Sequence, residues 1–221
     1  MPLFMFMTAL SNLFGVGGSS LISRFLGANE HKKASHCCAF CIWTTTVSAF
    51  LYGIFMFLFR PVLMPILGAN EETLPLASSY LFWTIGIGAV PTVLNPALAH
   101  LIRAEGYSKQ ASFGVAFGGV LNILLDPLFI YGLRLQITGA AIATLISNTI
   151  ALLYFLHFIW KIRATSVLTL SPRMYRITDH IPSEVLSIGL PSFLISMMGT
   201  VSNTVLNHII AGYSNIAVAG M

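Results

Sequence analysis

Long apolar runs that are almost free of charge constrain this chain more than any other feature of its sequence. The first run, Pro2 to Ser23, contains no charged residue, and five more runs of similar length follow it. A helix that crosses a bilayer needs about 20 mostly apolar residues. The runs are too long and too uncharged for strands in a soluble core, and a transmembrane β-barrel would show short alternating segments instead. The sequence therefore predicts an all-α, polytopic membrane helix bundle.

Six membrane spans are predicted. They are Pro2–Ser23, Cys37–Phe59, Thr73–Ile102, Gln110–Leu133, Leu135–Trp160 and Val185–Ile210. Only 8% of the residues are charged, whereas a soluble domain carries about 25%. So few charges could not cover a water-facing surface, which excludes an ordinary cytosolic enzyme and a nucleic-acid-binding module. The odd number of cysteines, three, argues against a disulfide-rich secreted scaffold.

The positions of the basic residues predict the topology. The first, third and fifth loops together hold nine of the 11 Lys and Arg residues, and the second and fourth loops hold one each. Loops rich in Lys and Arg stay on the cytoplasmic side. We therefore expect the first, third and fifth loops in the cytoplasm and Met1 on the outer face. A start directly at a span, and an apolar run that begins at Ile216 near the other end, suggest a truncated chain with missing helices.

Asp126 is the one charged residue deep inside a predicted span. A carboxylate in hydrocarbon is costly, so it normally faces a polar cavity or a partner. Asn122 lies four residues earlier, on the same helix face, and Gly118 continues the row. The fourth and fifth spans are joined by a short turn near Arg134, so they are expected to form an antiparallel hairpin. With a helix rise of about 1.5 Å per residue, counting from this turn places Asp126 about as deep in the membrane as Thr144. Their oxygens suit a small hard cation or a proton, although a structural kink at Pro127 would also explain the site.

Other polar residues in the spans are weaker candidates. Ser147 is expected about as deep as Asn122, with Asn148 one residue further, and Asn203 and Asn207 share a face in the sixth span. These four residues could line a cavity, or they could hold helices together by hydrogen bonds. Prolines inside the third and sixth spans indicate breaks. No metal site is predicted, because a structural zinc ion needs four ligands and the chain has no second Cys or His cluster near the run His36-Cys37-Cys38-x-x-Cys41. No cofactor and no catalytic Ser-His-Asp arrangement are predicted either.

Four stretches of the sequence resemble the multidrug and toxic compound extrusion (MATE) family. Gly15–Ala28 resembles the second helix and following loop of that family. Leu101–Gly106 and Gly119–Ile130 resemble the fourth and fifth helices, and Ile137–Ser147 resembles the start of the sixth. The Asn-x-x-x-Asp-Pro element, combined with the Gly-Ala-Ala-x-Ala-Thr run, is quite specific. The similarity covers nearly the whole chain.

The resemblance implies a fold of two six-helix lobes around a central cavity. Residues 1–163 would belong to the first lobe without its first helix, residues 164–184 would form the cytoplasmic loop between the lobes, and residues 185–221 would begin the second lobe. The family's activity implies export of small organic, often cationic, compounds in exchange for protons or sodium. The family's first-lobe cation site matches Asn122, Asp126 and Thr144. It also uses an Asp of the first helix, which this chain lacks.

Two alternative functions remain open at this point. One is a flippase for lipid-linked precursors from the same broad superfamily, which predicts basic residues inside a hydrophilic cavity. The other is an inactive, truncated membrane fragment. In all three cases the expected location is the cell (inner, cytoplasmic) membrane. The expected partners are the lipid bilayer, the missing helices of the same transporter and, for an exporter, its small organic substrates. Nucleic acid is not an expected partner.

Overall fold

The chain folds into a bundle of long helices, described by a computed structural model over residues 2–61, 74–175 and 180–211. The α-helices are α1 (Pro2–Gly27), α2 (His31–Leu58), α3 (Leu74–Leu81), α4 (Ala89–Ala104), α5 (Ser108–Pro127), α6 (Gln136–Ile162) and α7 (Ile181–Ala211). Two π-helical segments, Phe82–Ile87 and Leu128–Gly132, extend α3 and α5. Within the described ranges, five helices are long and apolar enough to cross a membrane, and there are six if the bent pair of α3 and α4 counts as one span. The all-helical prediction is confirmed, with five or six candidate spans where the sequence predicts six.

The third span bends by 49° between its two halves. The bend lies at Gly88, where the backbone N–H bonds to the carbonyl of Trp83, 3.1 Å away and five residues back. The prolines of this span do not mark the bend. Pro91 is the third residue of α4, where a helix needs no amide donor, and Pro96 lies inside α4. A π-helical turn therefore breaks the span, a feature that counting prolines does not detect.

Helix α1 packs against α2, α4 and α7. A Cβ atom on Gly15 would stand 3.1 Å from the Cα of Ala97 in α4, and one on Gly17 would clash with the carbonyl of Val185 in α7. Glycine at these positions lets the helix backbones touch, which is how membrane helices gain packing energy. The Gly15–Gly18 run therefore serves helix packing.

Small residues also join α5 to α6. A Cβ on Gly114 would clash with the ring of Phe155, and one on Gly118 would stand 3.0 Å from the Cβ of Ala151. In each of these two pairs, both residues are about equally far along the chain from the turn near Arg134. This is the register expected for an antiparallel hairpin with equal helix rise on both sides. The predicted small-residue row and the predicted hairpin register are both confirmed.

The first, third and fifth loops lie at one end of the bundle. Glu105, after α4, accepts a hydrogen bond from the Val167 N–H at 2.8 Å. His36 Nδ1, near the start of α2, lies 2.9 Å from the Met174 carbonyl oxygen. The described part of the segment after α6 contains a single 3-10 turn, Pro172–Met174. These contacts agree with the predicted alternation of the loops, and the division into two lobes stays a prediction.

Candidate ion-binding site between α5 and α6

Asp126 lies in the last turn of α5, half-buried, and its nearest hydrogen-bond partner is Asn122. The Asn122 Nδ2 atom lies 3.4 Å from the Asp126 Oδ1 atom and 3.4 Å from the Thr144 Oγ1 atom of α6. These bonds are at the long end of the usual range. The structure thus brings together the three residues that the sequence singled out. Their role in binding a cation stays a prediction.

The hydroxyl of Thr144 is oriented by its own helix. It donates to the Ala140 carbonyl oxygen at 2.9 Å. A hydroxyl has one hydrogen and two lone pairs, so the oxygen of Thr144 remains an acceptor toward Asn122 and the Asp126 side of the site. After Pro127 the backbone continues as the π-helical segment Leu128–Gly132, so the expected break lies directly beside the carboxylate.

No cation neutralises Asp126 within the described residues. Elsewhere in the described chain, an ion pair joins Lys33, in the first turn of α2, to Glu30, which precedes that helix. Its Nζ and Oε1 atoms are 2.9 Å apart. The described Lys and Arg residues lie at helix ends or in loops. An ionised carboxylate without a partner is costly inside a membrane. This cost makes Asp126 the candidate residue of the site.

The proposed cavity-lining residues take different positions. Ser147 is 2% exposed and donates to the carbonyl oxygen of Thr144 on its own helix, 3.0 Å away. Asn148 points to α4, where its Nδ2 atom donates to Thr92 Oγ1 at 3.2 Å. The side chains of Asn203 and Asn207 lie outside the described residues.

Two polar residues near the site were missed by the sequence reasoning. Thr92 and Asn95 of α4 face α5 and α6. For both of them the sequence held a visible signal, because they are polar residues flanked by Pro91 and Pro96 inside an apolar span.

A bundle of membrane-length helices with a carboxylate between two of them defines an integral membrane protein. The MatE family model matches residues 1–128. The multidrug export protein MepA of Staphylococcus saprophyticus is 34% identical over 219 residues, which are 99% of this chain and 48% of that protein. MepA of Staphylococcus haemolyticus is 34% identical over 220 residues, with the same coverage. The chain belongs to the MatE family and spans about half the length of the curated relatives it matches.

Solved structures of transporters share this fold. An inward-facing multidrug resistance MATE transporter of the MOP superfamily matches with a TM-score of 0.89 and 28% identity, over 99% of this chain and 49% of that one. A MOP superfamily transporter from Pyrococcus furiosus, described as having a binding pocket of reversed polarity, matches with a TM-score of 0.86 and 29% identity, over 99% and 48% of the two chains. The helix arrangement is therefore that of a MATE transporter.

Proposed function

We propose that this chain is part of a secondary active efflux transporter that exports small organic, often cationic, compounds in exchange for protons or sodium. The observation that carries the proposal is Asp126, a carboxylate without a cationic partner among the described residues of a membrane-helix bundle. Family membership supports it, because the relatives are named multidrug export proteins. The proposed location is the cytoplasmic membrane.

In this proposal, Asp126 receives the coupling ion and Asn122 and Thr144 complete the site. The Asn122 amide now donates to both neighbours; turned by 180°, it would offer its carbonyl oxygen to a bound sodium ion instead. Carboxylate, amide carbonyl and hydroxyl oxygens are ligands that hard cations prefer. A proton would need only the carboxylate.

The backbone beside Asp126 supplies the conformational part of the proposed mechanism. Neutralising the charge removes the cost of moving the carboxylate into a less polar surrounding. The π-helical turn after Pro127 packs closely on α6, where a Cβ atom on Gly139 would stand 2.7 Å from the Phe129 carbonyl oxygen. We propose that ion binding changes the packing at this contact, and that the change favours either the inward-open or the outward-open state.

The test is Asp126→Asn in the full-length transporter that carries these residues. We expect loss of dye efflux from vesicles driven by a proton or a sodium gradient, because the amide cannot be ionised. Glu30→Gln is the matched control, since it makes the same change in an exposed carboxylate at the first loop. Unchanged efflux in Asp126→Asn would refute the proposal.

The alternatives make different predictions. A flippase for lipid-linked precursors requires basic side chains inside a cavity, whereas the described Lys and Arg residues lie at helix ends or in loops. An inactive fragment predicts that the 221-residue chain, reconstituted alone, supports no substrate-dependent efflux. That measurement separates the activity of this chain from the activity of the whole transporter.

A further inference from the structure

A groove lies on the outside of α2, where the segment after α6 meets that helix. Its volume is about 340 Å³, and it is lined by Trp43, Thr44, Val47, Pro172 and Tyr175. Val47 is 53% exposed, so the groove opens to the surroundings of the bundle. The buried residues of α2 lie on the opposite face of the helix, toward α1 and α4. In a membrane, the groove therefore faces lipid and not the interior of the bundle.

The second wall of the groove is the segment Pro172–Tyr175, which two contacts hold against α2. The ring of Tyr175 stacks on the ring of Phe40, with centroids 5.9 Å apart and an angle of 23° between the planes. One residue earlier, the Met174 carbonyl oxygen lies 2.9 Å from His36 Nδ1. The wall is thus fixed to α2 at two points, one aromatic and one polar.

Basic residues lie at the end of the groove that is nearest to the first and fifth loops. Lys32 is one turn before His36 on the same face of α2, and Arg173 lies in the 3-10 turn that forms the second wall. Both residues are exposed, and neither forms an ion pair within the described residues. Glu30, the acidic residue just before α2, is paired with Lys33 at 2.9 Å. This end of the groove is therefore positively charged and suits an anionic group.

The spacing along α2 matches the order of the parts of a phospholipid. The second predicted span begins at Cys37, and Trp43 and Val47 lie about 9 and 15 Å further along the helix. The hydrocarbon of one leaflet is about 15 Å thick, so the apolar groove lies at the depth of the acyl chains. Lys32 precedes Cys37 and lies at the depth of the headgroups. Trp and Tyr side chains are typical of this boundary region.

We propose that this groove binds an anionic phospholipid of the cytoplasmic leaflet. The lipid phosphate pairs with Lys32 and Arg173, and one acyl chain fills the groove against Trp43 and Val47. Basic pockets beside membrane helices on the cytoplasmic side recognise anionic headgroups in this way. The bound lipid touches both α2 and the segment that leads to α7, so it holds the two together. The inference concerns lipid binding and does not depend on Asp126.

The experiment is a lipid titration of the purified full-length transporter in detergent, followed by native mass spectrometry. Phosphatidylglycerol is compared with phosphatidylcholine of the same acyl chains. We expect the tightest site to prefer phosphatidylglycerol about 30-fold, and Lys32→Gln and Arg173→Gln each to lower this preference about fivefold. Lys109→Gln is the matched control, because Lys109 is also exposed but begins α5, which packs against α4 and α6. It should change the preference less than twofold.

A second pair of variants tests the groove itself. Val47→Trp fills the groove and should weaken binding of phosphatidylglycerol at this site more than tenfold. Val120→Trp is the control, since Val120 of α5 is 56% exposed and Val47 is 53% exposed; it should leave binding within twofold of wild type. Equal affinity for the two lipids, an equal loss in Lys109→Gln, or wild-type binding in Val47→Trp would overturn the inference. Absence of a retained lipid in the wild type, because other helices of the transporter cover the groove, would overturn it as well.

Discussion

The carboxylate of Glu105, at the end of α4, is hydrogen-bonded to the segment that follows α6. Removing this carboxylate should make the segment open more readily. The Glu105 Oε1 atom accepts from the Val167 N–H at 2.8 Å, and its Oε2 atom accepts from the Ser166 hydroxyl. The Ser166 Oγ atom in turn accepts from the Leu168 N–H at 2.9 Å. Val167 and Leu168 are buried against the helix ends. One carboxylate thus holds the first residues after the helix.

The magnitude follows from these two bonds. A hydrogen bond to a charged group contributes about 1.5–3 kcal/mol, and Glu105 is half-exposed, so water would replace part of what is lost. We expect Glu105→Ala to lower the free energy of local opening by about 2 kcal/mol, which corresponds to roughly 30-fold faster exchange of the Val167 amide hydrogen. Glu105→Gln keeps one oxygen acceptor and should give a smaller acceleration.

The assay is hydrogen exchange of the purified chain in detergent, followed by mass spectrometry of the peptide that covers residues 164–172. Glu30→Ala is the control, since it breaks an exposed ion pair at the same end of the bundle, where such pairs contribute about 0–1 kcal/mol. It should leave this peptide unchanged. Exchange of the peptide within twofold of wild type in Glu105→Ala would show that the carboxylate does not hold the segment.

Two further predictions concern packing. Gly17→Val should destabilise the bundle by about 1–3 kcal/mol or more, because a side chain there meets the backbone of Val185. The measurement is thermal unfolding, and the control is Gly119→Val, where an added Cβ meets nothing within 4 Å. Equal stability of the two variants would contradict the α1–α7 contact. The three cysteines should resist maleimide in detergent until the protein is denatured, because all are buried and free: Cys37, Cys38 and Cys41. Rapid labelling of the folded protein would contradict this burial.

The hairpin of α5 and α6 shows how much of the site can be predicted from the sequence. The depth of Asp126, the Asn122 row and the level of Thr144 follow from helix rise and a short turn, because two antiparallel helices joined in this way have a single register. The contribution of α4 does not follow. The third span bends by 49° at the π-helical turn before Gly88, and the packing of α4 against α5 and α6 places Thr92 and Asn95 beside the site.

The sequence by itself predicted about six apolar spans, the alternation of the loops and an intramembrane carboxylate as the candidate ion ligand, because a charge is costly in hydrocarbon whatever the tertiary structure. Tertiary structure decided which helices are neighbours: α7 packs against α1, and α4 lies beside the candidate site. The physical reason is that these helices are apolar on all sides. Lipid gives such a helix no preferred face, so its rotation and its neighbours depend on close backbone contacts at Gly17, Gly114 and Gly118 and on a few hydrogen bonds.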